Sequence, residues 1–331
     1  MTLMNALVLD SAGADFRIAE LPRPEPKAGE VLVRVRASGV NPLDTKIRAG
    51  AAGHARHPFP AVLGIDMAGL VEAVGPDVTG FRPGDEVYGM TGGVGGVQGS
   101  LASYQVADAR LLALKPANIS MRQAAALPLI FITAWEGLVD RAQVKPGQKV
   151  VVLGAGGGVG HIVIQLAVAL GADVYGVDSV SKSGFIAGLG ATPIDRAESV
   201  EAYMDRHTGG RGFDIVYDTV GGASLDAAFS AVARFGHVVS ALGWGTHALA
   251  PLSFKAASYS GVFTLLPLLT GEGREHHGDI LREATRLAEA GKLAPRLDDR
   301  LFTLANVAEA YRLIADREAL GKLVVDIGSA E

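Results

Sequence analysis

Apolar residues are spaced in two different ways along the chain, and the spacing changes near Met121. From Met4 to Leu114 the apolar runs are short and broken by Gly, Pro and Asp, which is the punctuation of a β-rich region with many turns. Val31, Val33 and Val35 alternate with Leu32, Arg34 and Arg36, so a strand with one buried and one mostly wet face is predicted there. Pro22, Pro24, Pro26 and Gly29 mark a stiff turn before it. Further strands are expected over Val62 to Val74, Glu86 to Met90 and Leu101 to Val106. The glycine-rich stretch Gly92 to Gly99 has no helical pattern after it, and reads as a mobile loop or lid rather than a phosphate cradle.

A helix-like connector, Ala124 to Leu138, leads into regular alternation. Strands are predicted at Val150 to Leu153, Asp173 to Val177, Ile215 to Tyr217 and His237 to Leu242, with helical patterns between them. Such alternation implies a parallel sheet with right-handed crossovers. Its first unit is the most informative. Four aliphatic residues, Val150 to Leu153, read as a strand buried on both faces, then Gly154, Gly156, Gly157, Gly158 and Gly160 crowd a turn. From Ile162 to Leu170 apolar residues recur at helical spacing, and Gly171 stands where a left-handed stop is expected. A strand, glycine turn and helix in this order let the backbone approach a pyrophosphate, whose charge is met by free N–H groups and the helix dipole. Val159 holds the place of the third glycine of G-x-G-x-x-G, so the turn is a variant. Glycines also let a helix lie close to a strand, which is the structural alternative.

After Trp244 the apolar run Val262 to Leu269 contains Pro267, which a central strand would not tolerate, so an edge strand or an interface is expected. Asp279 to Ala290 and Val307 to Ala315 read as closing helices, and Lys322 to Ile327 as a final strand.

A length of 331 residues exceeds what one core usually supports, which predicts two domains. The net charge of −5 and the scatter of basic residues argue against nucleic acid as a partner. There are no cysteines, so disulfides, thiolate nucleophiles and cysteine-ligated zinc are excluded. No apolar stretch reaches membrane-spanning length and Met1 to Asp10 lacks a secretory leader, so a cytoplasmic location with no membrane partner is expected. Among the eight histidines, His54, His57, His161, His276 and His277 sit at spacings that suit surface or packing roles better than metal binding.

Asn41 Pro42 Leu43 Asp44, Pro60 to Asp66, Gly84 to Gly89, Thr133 Ala134 Trp135, Gly154 to Gly160 and Asp218 to Gly222 together resemble the medium-chain dehydrogenase/reductase superfamily. Within it they resemble the zinc-free quinone oxidoreductase, or zeta-crystallin-like, branch. The resemblance implies an α/β fold in which a Rossmann doubly wound parallel sheet, residues 124–262, is inserted in a GroES-like, mainly β catalytic domain, residues 1–123 plus 263–331. It also implies an active site in the cleft between the two. Zinc-dependent relatives carry a cysteine where this chain has Asn41, and Gly-His-Glu where it has Gly64 Ile65 Asp66. An apolar Ile65 cannot ligate and Asn41 is a poor zinc ligand. The implied activity is therefore a metal-free NAD(P)H-dependent reductase of a small quinone or α,β-unsaturated carbonyl, whose product anion needs only hydrogen-bond donors. Alternatives are an alcohol dehydrogenase-like enzyme and a non-enzymatic NADPH-binding, crystallin-like protein.

Asn41 is the first candidate donor at the substrate oxygen and Lys46 the second, with a solvated surface role as the competing reading of Lys46. The resemblance places the cofactor on Thr133, Gly154, Gly157, Gly158, Val159, Gly160 and Gly243. Asp178 stands where an acid would bind the ribose hydroxyls of NAD, whereas Lys182 and Arg196 stand where a 2′-phosphate would be met. A carboxylate about 4 Å from that phosphate costs roughly 4 kcal/mol at an effective dielectric near 20, and the two cations offset it. NADP is favoured over NAD. A homodimer through Val262 to Leu269 is expected, because pairing that run with its twofold copy would cover an open apolar edge.

Overall fold

In the computed structural model, which describes residues 2–328, the chain divides into two units: one runs to Leu129 and resumes at Leu265, and the other is Ile130–Thr264. The first division lies beyond residue 123 because the short helix at 121–125 packs on strands of the first unit.

That unit begins with β1 (Leu3–Leu9) paired antiparallel to β2 (Arg17–Pro22). The alternating segment forms β3 (Glu30–Gly39), followed by α1 (Pro42–Arg48). The stretch expected as one strand from Val62 is broken instead into β4 (Ala61–Val62) and β5 (Asp66–Val74). Gly64 between them has φ 103°, a left-handed value that a continuous strand does not take. Next come β6 (Glu86–Met90), β7 (Tyr104–Asp108), β8 (Leu112–Leu114) and α2 (Met121–Ala125).

The glycine stretch before β7 is a packed loop and not a mobile lid. Val94 is fully buried, Gly95 N–H donates to Ala55 O (2.8 Å) and Gly99 N–H to Val62 O (2.8 Å). A Cβ on Gly92 would fall 2.1 Å from Gln98 O, so glycine here permits close backbone approach.

The second unit holds most of α3 (Pro128–Trp135) and then alternates strand and helix: β9 (Lys149–Leu153), α4 (Gly160–Ala169), β10 (Asp173–Asp178), α5 (Ser183–Gly188), β11 (Thr192–Asp195), α6 (Val200–Thr208), β12 (Phe213–Asp218), α7 (Ala223–Ala231) and β13 (Val232–Ser240). It ends with α8 (Ala250–Ser253) and β14 (Ser258–Gly261). All six strands are parallel in the order β11-β10-β9-β12-β13-β14, the doubly wound arrangement. Val151, Val216 and Val238 of the sheet, Leu225 and Phe229 of α7 and Tyr203 of α6 share one core.

The run Val262 to Leu269 is not a strand. Val262 continues one ladder bond past β14, donating to Ser240 O (2.9 Å), and the chain then enters α9 (Leu266–Thr270) with Pro267 in its first turn. An N–H is dispensable there, so the proline that excludes a central strand suits a helix start. The first unit resumes with α10 (Arg274–Glu289), β15 (Phe302–Thr303), α11 (Val307–Ala315) and β16 (Val324–Asp326). β16 pairs antiparallel with β3, placing Val324 opposite Gly39, and thereby joins the two ends of the chain in the sheet order β15-β16-β3-β5-β6-β8.

Candidate functional site

Two groups of residues carry the chemistry, one in each unit. In the second unit, β9 delivers Leu153 to a turn opened by Gly154, whose φ is +76°. A Cβ on Gly154 would lie 2.6 Å from Thr219 Oγ1, and one on Gly160 would lie 2.2 Å from Gly154 O. These two glycines let α4 and the turn after β12 sit tightly on the end of β9. Gly157 differs: within 4 Å an added Cβ would meet only Gly154 O, at 3.1 Å. Gly158 is exposed and Val159 partly so, at the N-terminus of α4, where amides and helix dipole face an anion. This cradle fits a dinucleotide pyrophosphate.

Asp178, at the end of β10, is 7% exposed and turns back onto that cradle. It accepts from Gly156 N–H (2.9 Å) and Ser179 N–H (2.8 Å), and pairs with Lys182 Nζ (3.2 Å). Burial alone would raise its carboxyl, but the two amides and the ammonium outweigh burial and hold it below the ordinary value. Lys182 keeps 40% of its side chain exposed, and Arg196 is exposed just past β11, its N–H bonded to Asp178 O (2.9 Å). Thr133 is buried and its carbonyl accepts from the Tyr217 hydroxyl (2.6 Å). Gly243 is exposed, and a Cβ there would lie 2.1 Å from the Tyr259 hydroxyl.

Asp218 is a support that the sequence reading left out of the site. Fully buried at the end of β12, it accepts from Gly221 N–H (3.0 Å) and the Ser240 hydroxyl (2.8 Å), fixing the turn from which Thr219 Oγ1 donates to Leu153 O (2.8 Å). An aspartate closing a buried strand, three residues before a Gly-Gly pair, was the available signal.

In the first unit, Asn41 stands between β3 and α1, Asp66 opens β5 and Lys322 precedes β16. Because β16 runs antiparallel to β3, Lys322 is brought to the residues just after β3. Its Nζ donates to Val40 O (3.0 Å) and Asn41 Oδ1 (2.5 Å). Asn41 Nδ2 donates to Asp66 Oδ2 (2.9 Å), and Asp66 Oδ1 accepts from Leu129 N–H (2.9 Å). Asp44 Oδ2 accepts from Asn41 N–H (2.8 Å), while its Oδ1 is buried without a hydrogen bond. Only one orientation of the Asn41 carboxamide serves both neighbours, oxygen toward the ammonium and nitrogen toward the carboxylate.

Exposures of 1% for Asn41 and Asp44, 0% for Asp66 and 6% for Lys322 make this a buried ionic cluster. Burial raises the Asp44 carboxyl to about 7, with Asp66 adding to the rise and the Asn41 amide and Lys322 opposing it. Burial likewise raises Asp66 to about 6 against the pull of Lys322, Asn41 and Leu129, and it lowers Lys322 against the pull of both carboxylates. Lys46 is exposed on the last turn of α1.

These two sites and the doubly wound sheet define a dinucleotide-dependent oxidoreductase of the alcohol dehydrogenase type. Residues 27–117 match the family described as "Alcohol dehydrogenase GroES-like domain", and residues 189–325 match "Zinc-binding dehydrogenase". The chain is 36% identical over 315 residues to a chloroplastic NADPH-dependent alkenal/one oxidoreductase of Arabidopsis thaliana, covering 91% of this chain and 73% of that one. It is 35% identical over 311 residues to a 2-methylene-furan-3-one reductase of Solanum lycopersicum, with the same coverage. An alcohol dehydrogenase superfamily protein from Novosphingobium aromaticivorans superposes with TM-score 0.97 at 57% identity, covering 98% of this chain and 100% of that one. The chain belongs to the medium-chain dehydrogenase/reductase superfamily.

The zinc named in one family description does not suit the donors present. Ile65 is apolar and fully buried, Asn41 Oδ1 is taken by an ammonium, and both oxygens of Asp66 accept hydrogen bonds. Among the described residues no group of three or more His, Cys, Asp or Glu is placed to hold a metal ion, and no helix is long and apolar enough to cross a membrane.

Proposed function

We propose that the protein is an NADPH-dependent, metal-free reductase of α,β-unsaturated carbonyl compounds, with quinones as a second acceptor class. The observation that carries this reading is the Asn41–Asp66 pair joined to a lysine ammonium, in a chain similar along 91% of its length to an alkenal/one oxidoreductase. A reduced nicotinamide, when bound, supplies hydride for the β-carbon of a conjugated carbonyl. The chain's own task is then to hold the cofactor and to meet the charge that develops on the carbonyl oxygen.

Gly154, Gly157, Gly158, Val159 and Gly160 are proposed to hold the pyrophosphate, with Thr133 and Gly243 at the nicotinamide half. NADPH is favoured because the charge of the Asp178 carboxylate is already met by Gly156, Ser179 and Lys182, while Lys182, 40% exposed, and the exposed Arg196 supply two cations for a 2′-phosphate. Asn41 is the proposed donor to the substrate oxygen. A carboxamide nitrogen carries two hydrogens, and one is committed to Asp66. Lys46, exposed on α1, is the secondary candidate.

A cytoplasmic location and a homodimer complete the proposal. The dimer contact moves from Val262 to Leu269 onto β14, which ends its sheet and offers an unpaired edge. A panel of enones and quinones, assayed with NADPH and with NADH by loss of reduced-nicotinamide absorbance, tests the activity. Turnover of enones with NADPH is expected; oxidation of simple alcohols in preference to any enone or quinone reduction rejects the reading.

A further inference from the structure

Lys322 is clamped as well as buried. Its N–H donates to Arg296 O (2.8 Å), and its carbonyl accepts from Asp298 N–H (3.0 Å). Gly321 before it approaches Leu297 so closely that a Cβ would fall 2.6 Å from the Leu297 carbonyl carbon. The backbone therefore aims the side chain at Asn41 and gives it little room to swing away. At the far end of that side chain the ammonium faces two acceptors and two carboxyl groups, with no solvent to share the charge.

The orientation of Asn41 reports the same charge. With Oδ1 on Lys322 and Nδ2 on Asp66, the carboxamide relays a positive group on one side to a negative group on the other. A cation entering this cluster would need Asn41 Oδ1 or an Asp66 oxygen, and at either it would lie close to an ammonium that cannot retreat. Asp44 and Asp66 are two carboxyl groups buried near one lysine, so removing the ammonium would leave Asp66, the more acidic of the two, without a compensating charge and attractive to an ion.

We infer that Lys322 is the resident cation of this site: its ammonium, held on Asn41 Oδ1 beside the Asn41–Asp66 pair, takes the place of a metal ion, and it is this charge, beyond the missing ligands, that keeps zinc out. Supplying ligands alone should then fail to create a zinc site. Zinc takes thiolate and imidazole ligands, so Asn41→Cys with Ile65→His beside Asp66 offers three donors. The test compares the full-length wild type, that double variant, and the double variant carrying Lys322→Met, by equilibrium dialysis against zinc followed by metal analysis.

The double variant is expected to bind zinc no better than the wild type, and the triple variant at least about 100-fold more tightly, the scale on which outer partners of a site act. Equal zinc affinity in folded double and triple variants overturns the inference, because Lys322 would then be yielding its place. Where Lys322→Met prevents folding, Lys322→Gln replaces it. If neither folds, the double variant decides alone: stoichiometric zinc there refutes the inference, and wild-type levels support it.

Discussion

The backbone N–H of Gly156 donates to Asp178 Oδ2 across 2.9 Å, tying the carboxylate at the end of β10 to the glycine turn after β9. An acid expected to face a ribose is thus partly spent on its own chain. The negative charge that would oppose a 2′-phosphate is compensated by two amides and an ammonium before any ligand arrives.

Cofactor choice should therefore rest on Lys182. Lys182→Ala is expected to weaken NADPH about tenfold or more, the worth of a charge-assisted bond to phosphate, while changing NADH affinity by less than about threefold. Gly156→Ala should act in the same direction, because its Cβ would lie 2.5 Å from Lys182 Cδ and push that side chain away. Fluorescence titration with both cofactors measures this; equal losses for the two would assign Lys182 to the protein surface.

The glycines of the turn should separate into two kinds. Gly160→Ala places a methyl 2.2 Å from Gly154 O, a backbone atom, and is expected to cost about 1–3 kcal/mol in stability. At Gly157 an added Cβ meets only one atom, at 3.1 Å, so the melting temperature of Gly157→Val should stay within a few degrees of wild type while its branched side chain fills the cradle and NADPH binding is lost. Thermal unfolding and cofactor titration of both variants show whether the separation holds, and retained NADPH affinity in Gly157→Val would remove the pyrophosphate from this turn.

Stability should fall with rising pH through the Asp44 carboxyl. Its folded value of about 7 lies above the ordinary 3.8, so between these values the folded chain holds a proton that the unfolded chain has released. Stability attributed to this group is present at low pH and lost as pH rises through 7; Asp66 acts in the same direction up to about 6. Lys322, lowered by burial, contributes the opposite slope at higher pH. Asp44→Asn keeps an oxygen for the Asn41 amide and removes the charge. Relative to wild type it should gain about 1 kcal/mol or more between about pH 5 and about pH 8 in urea unfolding. A loss over that interval would mean that Asp44 is ionised and held by Lys322.

A dimer through β14 predicts twice the chain mass in light scattering. Gly261→Pro should reduce it: Val262 N–H turns inward to Ser240 O, so by strand alternation the Gly261 N–H faces the open edge, where a proline obstructs pairing with a second copy. Leu265 is a poor choice for this test because it is only 3% exposed, so a charge there would disturb the interior. A monomeric wild type at micromolar concentration rejects the contact.

Much of the second unit was legible because β9, β12 and the end of β13 carry apolar runs buried on both faces, and β10 alternates buried and partly exposed residues between clear helical patterns. β11 and β14 were missed: Thr192 Pro193 Ile194 Asp195 and Ser258 Tyr259 Ser260 Gly261 hold too few apolar residues to announce a strand, and each borrows its order from one neighbour. Gly92 to Gly99 misled in the other direction, because glycine permits both motion and close packing and only the surroundings decide. In the first unit, Asn41 and Asp66 could be singled out by the motifs around them. Lys322 could not, since a lone lysine opening an expected strand reads as a solvated residue until the pairing of β16 with β3 brings it to Asn41.

That pairing also sets an order on synthesis. Lys322 and Asn41 are 281 positions apart, so the strand beside β3 and the positive charge of the buried cluster leave a ribosome long after the other members of that cluster. Until then Asp44 and Asp66 have no ammonium to enclose, and the first unit waits unfinished. Ile130–Thr264, an unbroken stretch containing all six of its own strands, is complete long before. The second unit is therefore the natural first folding unit, although it begins later in the chain.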